Sequence, residues 1–278
     1  MELAISYCFC YSVKLTALTQ KFLFLVSELQ NSGFTLIDNI MELSNILFID
    51  IETVSQYQAY ESLDFQWQSM FERKIRYFQE KEPDKTPDQL YLDKAAIYAE
   101  FGKIVCIGLG FFHKGQLRIT TLCGDDEAEL IEKFFQIVQS HFNNPDKHFI
   151  CGHNIKEFDV PYICRRALIN GIALPALFNI SSKKPWELKY LLDTLDMWKF
   201  GDQKNYVSLE LLTACFNLET SKSDIDGSMV GKVYYEDHDL KRIGEYCSRD
   251  VWVTANVFLK MSLKETIPFE SVHFTDSK

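Results

Sequence analysis

Four acidic residues lie at or inside predicted strands and helices, where an unpaired charge is unfavourable. They are Asp50, Glu52, Asp159 and Asp250. Carboxylates that converge on one place are typical of two-metal phosphodiester chemistry, in which two divalent ions roughly 4 Å apart stabilise the attacking and leaving oxygens. Hard oxygen ligands suit Mg²⁺ or Mn²⁺. We therefore predict that these four side chains hold two such ions in one site.

The first two acids close a short apolar segment, 45–52 (NILFIDIE), that has the composition of a buried strand. Because side chains alternate across a strand, Asp50 and Glu52 point to the same face. An Asp-x-Glu pair is common, and a solvated strand end is the simpler interpretation of such a pair in isolation. Here the pair ends an apolar run, where charge is costly without a metal or a partner, and this favours a functional role.

Asp159 belongs to the segment 152–161 (GHNIKEFDVP), which leaves a predicted strand and enters a predicted helix. Its place just before Pro161 predicts that it lies at the helix N-terminus, where the helix dipole keeps a carboxylate ionised. The alternative is that Asp159 only caps this helix. The segment alone does not decide between the two.

Tyr246 and Asp250 are four residues apart in a long predicted helix, so both lie on one face of it. The same face carries apolar residues such as Ile243 and Val257, and an aspartate there needs a reason. An aspartate satisfied by a neighbouring hydroxyl or backbone group is the alternative to a metal ligand.

Three segments together resemble the DEDD exonucleases of the tyrosine type, and among them the proofreading domains of family B DNA polymerases. The segments are FIDIET (48–53), NIKEFDVPY (154–162) and YCSRD (246–250). The chain is most similar to the free-standing predicted exonucleases related to those domains. The resemblance extends roughly from Asn45 to Met261.

This resemblance implies a role for each acid. Asp50, Glu52 and Asp250 would hold the catalytic ion. Asp50 would also bind the second ion, which Asp159 would reach through water.

Tyr246 would orient the attacking water, because a phenol with an ordinary pKa near ~10 is a poor base at neutral pH. In the histidine type of the family the base lies five residues before the last aspartate. That position is Glu245 in this chain, which supports the tyrosine type.

The resemblance also implies the substrate: nucleoside monophosphates would be removed from a 3′ end, with single-stranded DNA favoured over RNA. A replication or repair protein is the kind of partner that it implies. Thr53, Asn154 and Phe158 occupy motif positions that would contact the terminal nucleotide, although a turn-forming asparagine and a core phenylalanine are the plain alternatives. Two other functions stay open, an exoribonuclease acting on short RNA and a non-catalytic ribonuclease H-like binding module.

Hydrophobic periodicity predicts the elements that must position these residues. We expect strands over 45–52, 103–112, 116–122, 148–152 and 188–192, and helices over 63–82, 125–142, 161–169, 208–216 and 239–261. Strands in a first block, followed by strands and helices in alternation, predict a mixed sheet with helices on its faces. The fold class is therefore α/β, and the resemblance implies a ribonuclease H-like domain with a mixed five-stranded sheet flanked by helices.

Composition limits the classes of function. The 278 residues have a net charge of −10, which argues against a broad basic surface for long nucleic acid. The 8 cysteines have no zinc-site spacing, and reduced thiols in a cytoplasmic protein are the simplest interpretation. No apolar run has the length of a membrane span. Met41-Glu42-Leu43 repeats Met1-Glu2-Leu3, so we expect residues 1–40 to be an N-terminal extension and 41–278 to be the exonuclease domain.

Basic and aromatic residues alternate between positions 183 and 206, a pattern that suits a single strand with stacked bases. The residues are Lys183, Lys184, Trp186, Lys189, Tyr190, Trp198, Lys199, Phe200, Lys204 and Tyr206. Acidic residues, among them Asp193 and Asp196, dilute this charge. We expect Asp193 and Asp196 to be solvated or to cap a helix.

Overall fold

The structure is a computed structural model, and it describes residues 42–202, 206–219 and 224–275. The predicted extension over residues 1–40 and the basic residue Lys204 lie outside these ranges, and those predictions stay predictions. Within the described ranges, no helix combines the length and apolarity that crossing a bilayer requires.

Six strands of the described chain form one mixed sheet in the order β5-β4-β1-β2-β3-β6. They are β1 (Ile46–Ser55), β2 (Gly102–His113), β3 (Gln116–Cys123), β4 (Phe149–Gly152), β5 (Leu191–Asp193) and β6 (His273–Phe274). β1 lies inside the sheet, antiparallel to β2 and parallel to β4. All five predicted strands are present, and β6 adds a two-residue strand beside β3.

Seven helices of six or more residues are found in the described ranges. They are α1 (Phe65–Lys81), α2 (Pro87–Lys94), α3 (Glu127–His141), α4 (Asp159–Ile169), α5 (Thr194–Lys199), α6 (Leu209–Cys215) and α7 (Leu240–Met261). The five predicted helices are all present. Ser208 and Asp239 cap α6 and α7 through their side chains, which accept backbone N–H groups of Leu211 and Arg242.

Periodicity did not predict α2, α5 or the helical segment 227–237. Pro87 occupies the first turn of α2, where proline needs no backbone donor. Thr86 and Gln89 form a capping box around this start. α5 and the segment 227–237 are too short for a periodic pattern to emerge.

β1 presents two different faces because its side chains alternate. Leu47, Ile49 and Ile51 belong to the larger core, which also contains the apolar residues of α3 and α4. Phe48 points to the opposite face, where its ring meets Phe258 of α7 with centroids 5.7 Å apart. α7 therefore covers the face of β1 that carries the two acids.

A buried ion pair anchors α4 to the rest of the domain. Arg166 and Glu127 are 4% and 7% exposed, and their side chains approach to 2.5 Å. Glu127 also accepts the backbone N–H of Ile104 at 2.7 Å, and Arg166 donates to the carbonyl of Ala99 at 2.9 Å. Because every contact joins a different element, this pair holds the helix that begins at Asp159.

Replacing Arg166 tests that anchor. Arg166→Ala leaves the Glu127 carboxylate buried and without its cation, and we expect the free energy of unfolding to fall by about 3–5 kcal/mol. Urea denaturation followed by circular dichroism measures this loss.

Lys133→Ala is the matched control. Lys133 pairs with Glu129 at 2.7 Å, but both side chains are exposed, so we expect a loss of about 0.5 kcal/mol or less. Equal effects of the two substitutions would contradict an anchoring role for Arg166.

Candidate active site

β1 places Asp50 and Glu52 on the face that α7 covers, as their spacing predicts. Ligand atoms of Asp50, Glu52 and Cys247 all lie within 4.8 Å of one another. Glu52 is buried, whereas Asp50 keeps partial exposure. The cluster therefore lies inside the fold but is open on one side.

α7 approaches this face closely because β2 has glycines beneath it. A Cβ atom at Gly108 would lie 2.8 Å from the Cys247 sulfur and 2.7 Å from Val251, and one at Gly110 would lie 2.6 Å from Val251. Side chains at these positions would push the helix outward. The close approach brings Tyr246 and Asp250, the motif residues of α7, to the acids of β1.

Asp159 is the first residue of α4, as predicted, and it is 4% exposed. Its Oδ1 accepts the backbone N–H of Ile51, the residue between the two β1 acids, at 3.1 Å. The carboxylate of Asp159 is thus tied to β1. A capping role alone does not account for that contact.

Burial raises the pKa values of all four acids, and like charge adds to the shift for Asp50, Glu52 and Asp159. Burial raises the pKa of Asp50 and Glu52 well above the usual range, and the repulsion of neighbouring carboxylates adds to it. Burial also raises the pKa of Asp159 to about 7 and that of Asp250 to about 6. A cation among them would relieve this repulsion, so the donor set fits a divalent metal ion with hard-ligand preference.

The Tyr246 hydroxyl interacts with the Asp250 carboxylate, which raises the pKa of the phenol and lowers that of the acid. Burial, together with the charges of Asp250, Glu52 and Asp50, raises the pKa of Tyr246 far above its usual value. The phenol therefore keeps its proton and acts as a hydrogen-bonding group at the site.

The three predicted substrate residues have different surroundings. The Thr53 hydroxyl donates to the carbonyl of Ala96 at 2.9 Å. Phe158 is half-buried, and its ring packs against Tyr162 with centroids 5.4 Å apart. Asn154 has a positive φ of 62°, and its buried Oδ1 finds no hydrogen-bond partner among the described residues. Of the three, Asn154 retains an unused acceptor.

Two residues at the site did not emerge from the sequence as contributors. The Cys247 thiol lies 3.5 Å from Oδ2 of Asp50. Asp193, which was expected to be solvated or to cap a helix, caps α5 and also accepts the N–H groups of Asn154 at 2.8 Å and Lys156 at 3.1 Å. Asp193 therefore shapes the loop that leads into Asp159. The only local signal was the position of Cys247, three residues before Asp250 on one helix face.

In the described part of the basic and aromatic segment 183–206, Tyr206 is close enough to Asp159 and Asp193 to be affected by their charges. Burial and the charges of Asp159 and Asp193 raise its pKa, although 65% of the residue is exposed. Its ring contacts that of His153 edge-on, with centroids 6.2 Å apart. His153 Nε2 donates to the carbonyl of Val207 at 2.9 Å, which holds the chain next to Tyr206 in place.

Comparison with known proteins identifies a matching family. The sequence model of one protein family, described as "Predicted 3'-5' exonuclease related to the exonuclease domain of PolB", matches residues 97–273. The match includes Asp159, Tyr246 and Asp250, whereas Asp50 and Glu52 precede it. Among curated proteins, none matches the sequence.

Two solved structures resemble the fold. The family B DNA polymerase from the hyperthermophilic archaeon Pyrobaculum calidifontis shares 15% identity and a TM-score of 0.51, over 78% of this chain and 24% of the polymerase. This chain thus spans about a quarter of the polymerase. The RNase domain of the yeast Pop2 protein shares 11% identity over 88% of each chain, with a TM-score of 0.33.

The mixed sheet flanked by helices is ribonuclease H-like, which confirms the predicted fold class. The family match covers more than half of the chain and carries two of the three motifs of the resemblance. The chain therefore belongs to the family of predicted 3′–5′ exonucleases related to the exonuclease domain of PolB.

Proposed function

We propose that this protein is a metal-dependent 3′–5′ exonuclease that removes nucleoside monophosphates from single-stranded DNA. The observation that carries the proposal is that four carboxyl groups have raised pKa values and that Asp159 and Asp250 both repel Asp50 and Glu52. Burying four like charges is unfavourable unless a cation is bound, so the arrangement has a functional rather than a structural reason.

Asp50, Glu52 and Asp250 would hold one divalent ion, and Asp50 with Asp159 would hold the second. Carboxylate oxygens favour Mg²⁺ or Mn²⁺ as the ions. When bound, such ions lower the pKa of a coordinated water and stabilise charge on the phosphate. Asp159 remains fixed to β1 through the N–H of Ile51, so the spacing of the acids is preorganised.

Tyr246 would position the attacking water. Its hydroxyl keeps its proton at neutral pH, because burial and the nearby carboxylates raise its pKa. A protonated phenol orients a water molecule by hydrogen bonding but does not remove its proton. The Asp250 carboxylate, whose pKa the phenol lowers, would orient the hydroxyl towards the acids.

A single-stranded substrate is favoured by Tyr206 and by the overall charge. A net charge of −10 is unsuited to holding long duplex DNA by phosphate contacts. The exposed ring of Tyr206, near Asp159, offers a surface on which an unpaired base can stack. Any of the bases can stack in this way. Asn154, with its unpaired Oδ1, and Phe158 lie on the loop that leads into Asp159 and would contact the terminal nucleotide.

Hydrolysis of labelled oligonucleotides tests the activity. With Mg²⁺, a 5′-labelled single strand should shorten in one-nucleotide steps, while a 3′-labelled one should release the label as a mononucleotide. Asp250→Asn removes one ligand and should lower the rate by more than about 100-fold, because even outer residues of metal sites contribute 10–100-fold.

Asp196→Asn is the matched control, since Asp196 is an exposed acid paired with Lys156 outside the cleft. Release of internal fragments would contradict the proposed exonuclease activity. Equal rates for Asp250→Asn and the parent would contradict the proposed role of Asp250 in the active site. RNA and DNA strands of the same sequence, compared in this assay, show which nucleic acid is the preferred substrate. A faster rate on RNA would overturn the proposed preference for DNA.

The metal-free protein should lose stability as the pH rises. Native Asp159 and Asp250 have pKa values of about 7 and about 6, above the value of about 3.9 expected in the unfolded chain. The native state therefore binds these protons more tightly. The stabilisation is fully present below about pH 4 and is lost as the pH rises through about 6–7.

Urea unfolding in chelator between about pH 5 and about pH 8 measures this loss. Asp250→Asn should flatten the profile, because the amide does not ionise. Added Mg²⁺ should restore stability at the higher pH, since the ion binds the native state. A chelated parent whose stability rises steadily over this range would contradict the burial of these carboxyls.

Tyr206→Ala should weaken substrate binding. Loss of one stacked base costs roughly 1–3 kcal/mol, so we expect KM for a single-stranded oligonucleotide to rise about tenfold with kcat nearly unchanged. Tyr206→Phe should keep the parent KM, because stacking needs only the ring.

Phe200→Ala is the matched control, since Phe200 is 93% exposed in the same segment. An unchanged KM in Tyr206→Ala, or the same increase in Phe200→Ala, would exclude Tyr206 as the stacking surface.

A further inference from the structure

Three thiols form a continuous row from the protein surface to the metal-binding acids. The sulfur atoms of Cys123 and Cys106 are 2.7 Å apart, and Cys106 lies in the same buried cluster as Cys247. Cys247 in turn lies 3.5 Å from Oδ2 of Asp50. Nothing in the proposed hydrolysis uses Cys106 or Cys123.

The strand register makes Cys106 and Cys123 a potential disulfide pair. They are directly opposite each other on the antiparallel strands β2 and β3. Opposite residues of such strands have Cα atoms about 4.5–5.5 Å apart, which lies within the range that a disulfide spans. No backbone rearrangement is therefore needed to join the two sulfur atoms.

Cys123 is the thiol that a reagent can reach. It is half-buried and lines a surface cavity of about 670 Å³, whereas Cys106 and Cys247 are fully buried. Gly244 of α7 leaves room beside the sulfur, because a Cβ atom there would lie 2.9 Å from it. An oxidant would thus meet Cys123 first.

Cys106 also connects this pair to the acids. In the sheet register its partner on β1 is Glu52 and its partner on β3 is Cys123. A covalent bond to Cys123 would shift the Cys106 sulfur within the buried cluster that it shares with Cys247, the residue that contacts Asp50. The disulfide would therefore affect the surroundings of two proposed metal ligands, Glu52 and Asp50.

We propose that Cys106 and Cys123 are a thiol modification site, in which a low-molecular-weight disulfide produces a reversible cross-strand disulfide that weakens divalent-cation binding at the adjacent acids. The first part rests on the cysteines alone, and the second rests on the proposed function.

Thiol–disulfide exchange between the two cysteines and the low-molecular-weight disulfide needs no other oxidant or reductant. The thiolate of Cys123 attacks one sulfur of the reagent, which forms a mixed disulfide and releases one thiol. The thiol of Cys106 then loses its proton and attacks the Cys123 sulfur, which closes the protein disulfide and releases the second thiol. The two cysteines lose two electrons, and the reagent gains them.

Peptide mapping tests the disulfide. The full chain is reduced, equilibrated with oxidised glutathione, alkylated and digested with trypsin. Cys106 and Cys123 fall on different tryptic peptides, 104–114 and 119–133, so we expect these peptides to be joined. Dithiothreitol should separate them, Cys123→Ser should abolish the link and Cys215→Ser, at an exposed cysteine, should retain it.

Calorimetric titration with Mn²⁺ tests the coupling without any nuclease assay. We expect the dissociation constant to rise about fivefold on oxidation, at the lower end of typical coupling between sites, and to return on reduction. Cys123→Ser should show no change under the same treatment.

Absence of the joined peptides would overturn the modification site, and a joined pair with unchanged Mn²⁺ affinity would overturn the coupling. If the reduced parent bound no Mn²⁺, the proposed function would fail together with the coupling. Peptide mapping would still decide the disulfide in that case.

Discussion

Mutual repulsion among four carboxyl groups in one cleft is the constraint on which the rest of this structure depends. Burial raises the pKa values of Asp50, Glu52, Asp159 and Asp250, and the charges of the other acids raise those of Asp50 and Glu52 further. A fold under no functional demand would place such groups in solvent, where their charge is well hydrated. Keeping them together lowers stability, and under the proposed function bound cations would relieve that cost.

The surrounding fold has to keep these four carboxyl groups together although their charges repel one another. Glycines at 108 and 110 let α7 lie directly against the sheet, and the N–H of Ile51 binds Asp159 across to β1. At the other end of α4, Arg166 is anchored in a buried ion pair. Each contact joins a different pair of elements. The positions of the acids therefore depend on the whole sheet rather than on one loop.

The same close packing explains why thiols adjoin the acids. A residue that fills the narrow space between α7 and β2 must be small, and a buried cysteine behaves as a small apolar side chain. Cys247 meets that requirement and contacts Asp50 through a weakly polar sulfur. Cysteine differs from alanine because its thiol can be oxidised. Packing a cysteine here therefore places an oxidisable thiol next to the acids proposed to bind metal.

Local features were predictable from the sequence by itself, because strand alternation, helix periodicity and side-chain caps act over a few residues. Strand β1 with its same-face acids and the cap of α7 at Asp239 belong to this group. The chain motifs also singled out the acids and the tyrosine. The tertiary structure alone decided that Cys247 meets Asp50 from 197 positions away, and that Asp193 binds the N–H of Asn154 from 39 positions away. Such contacts follow from strand register and helix packing, for which no periodic pattern within one element carries a signal.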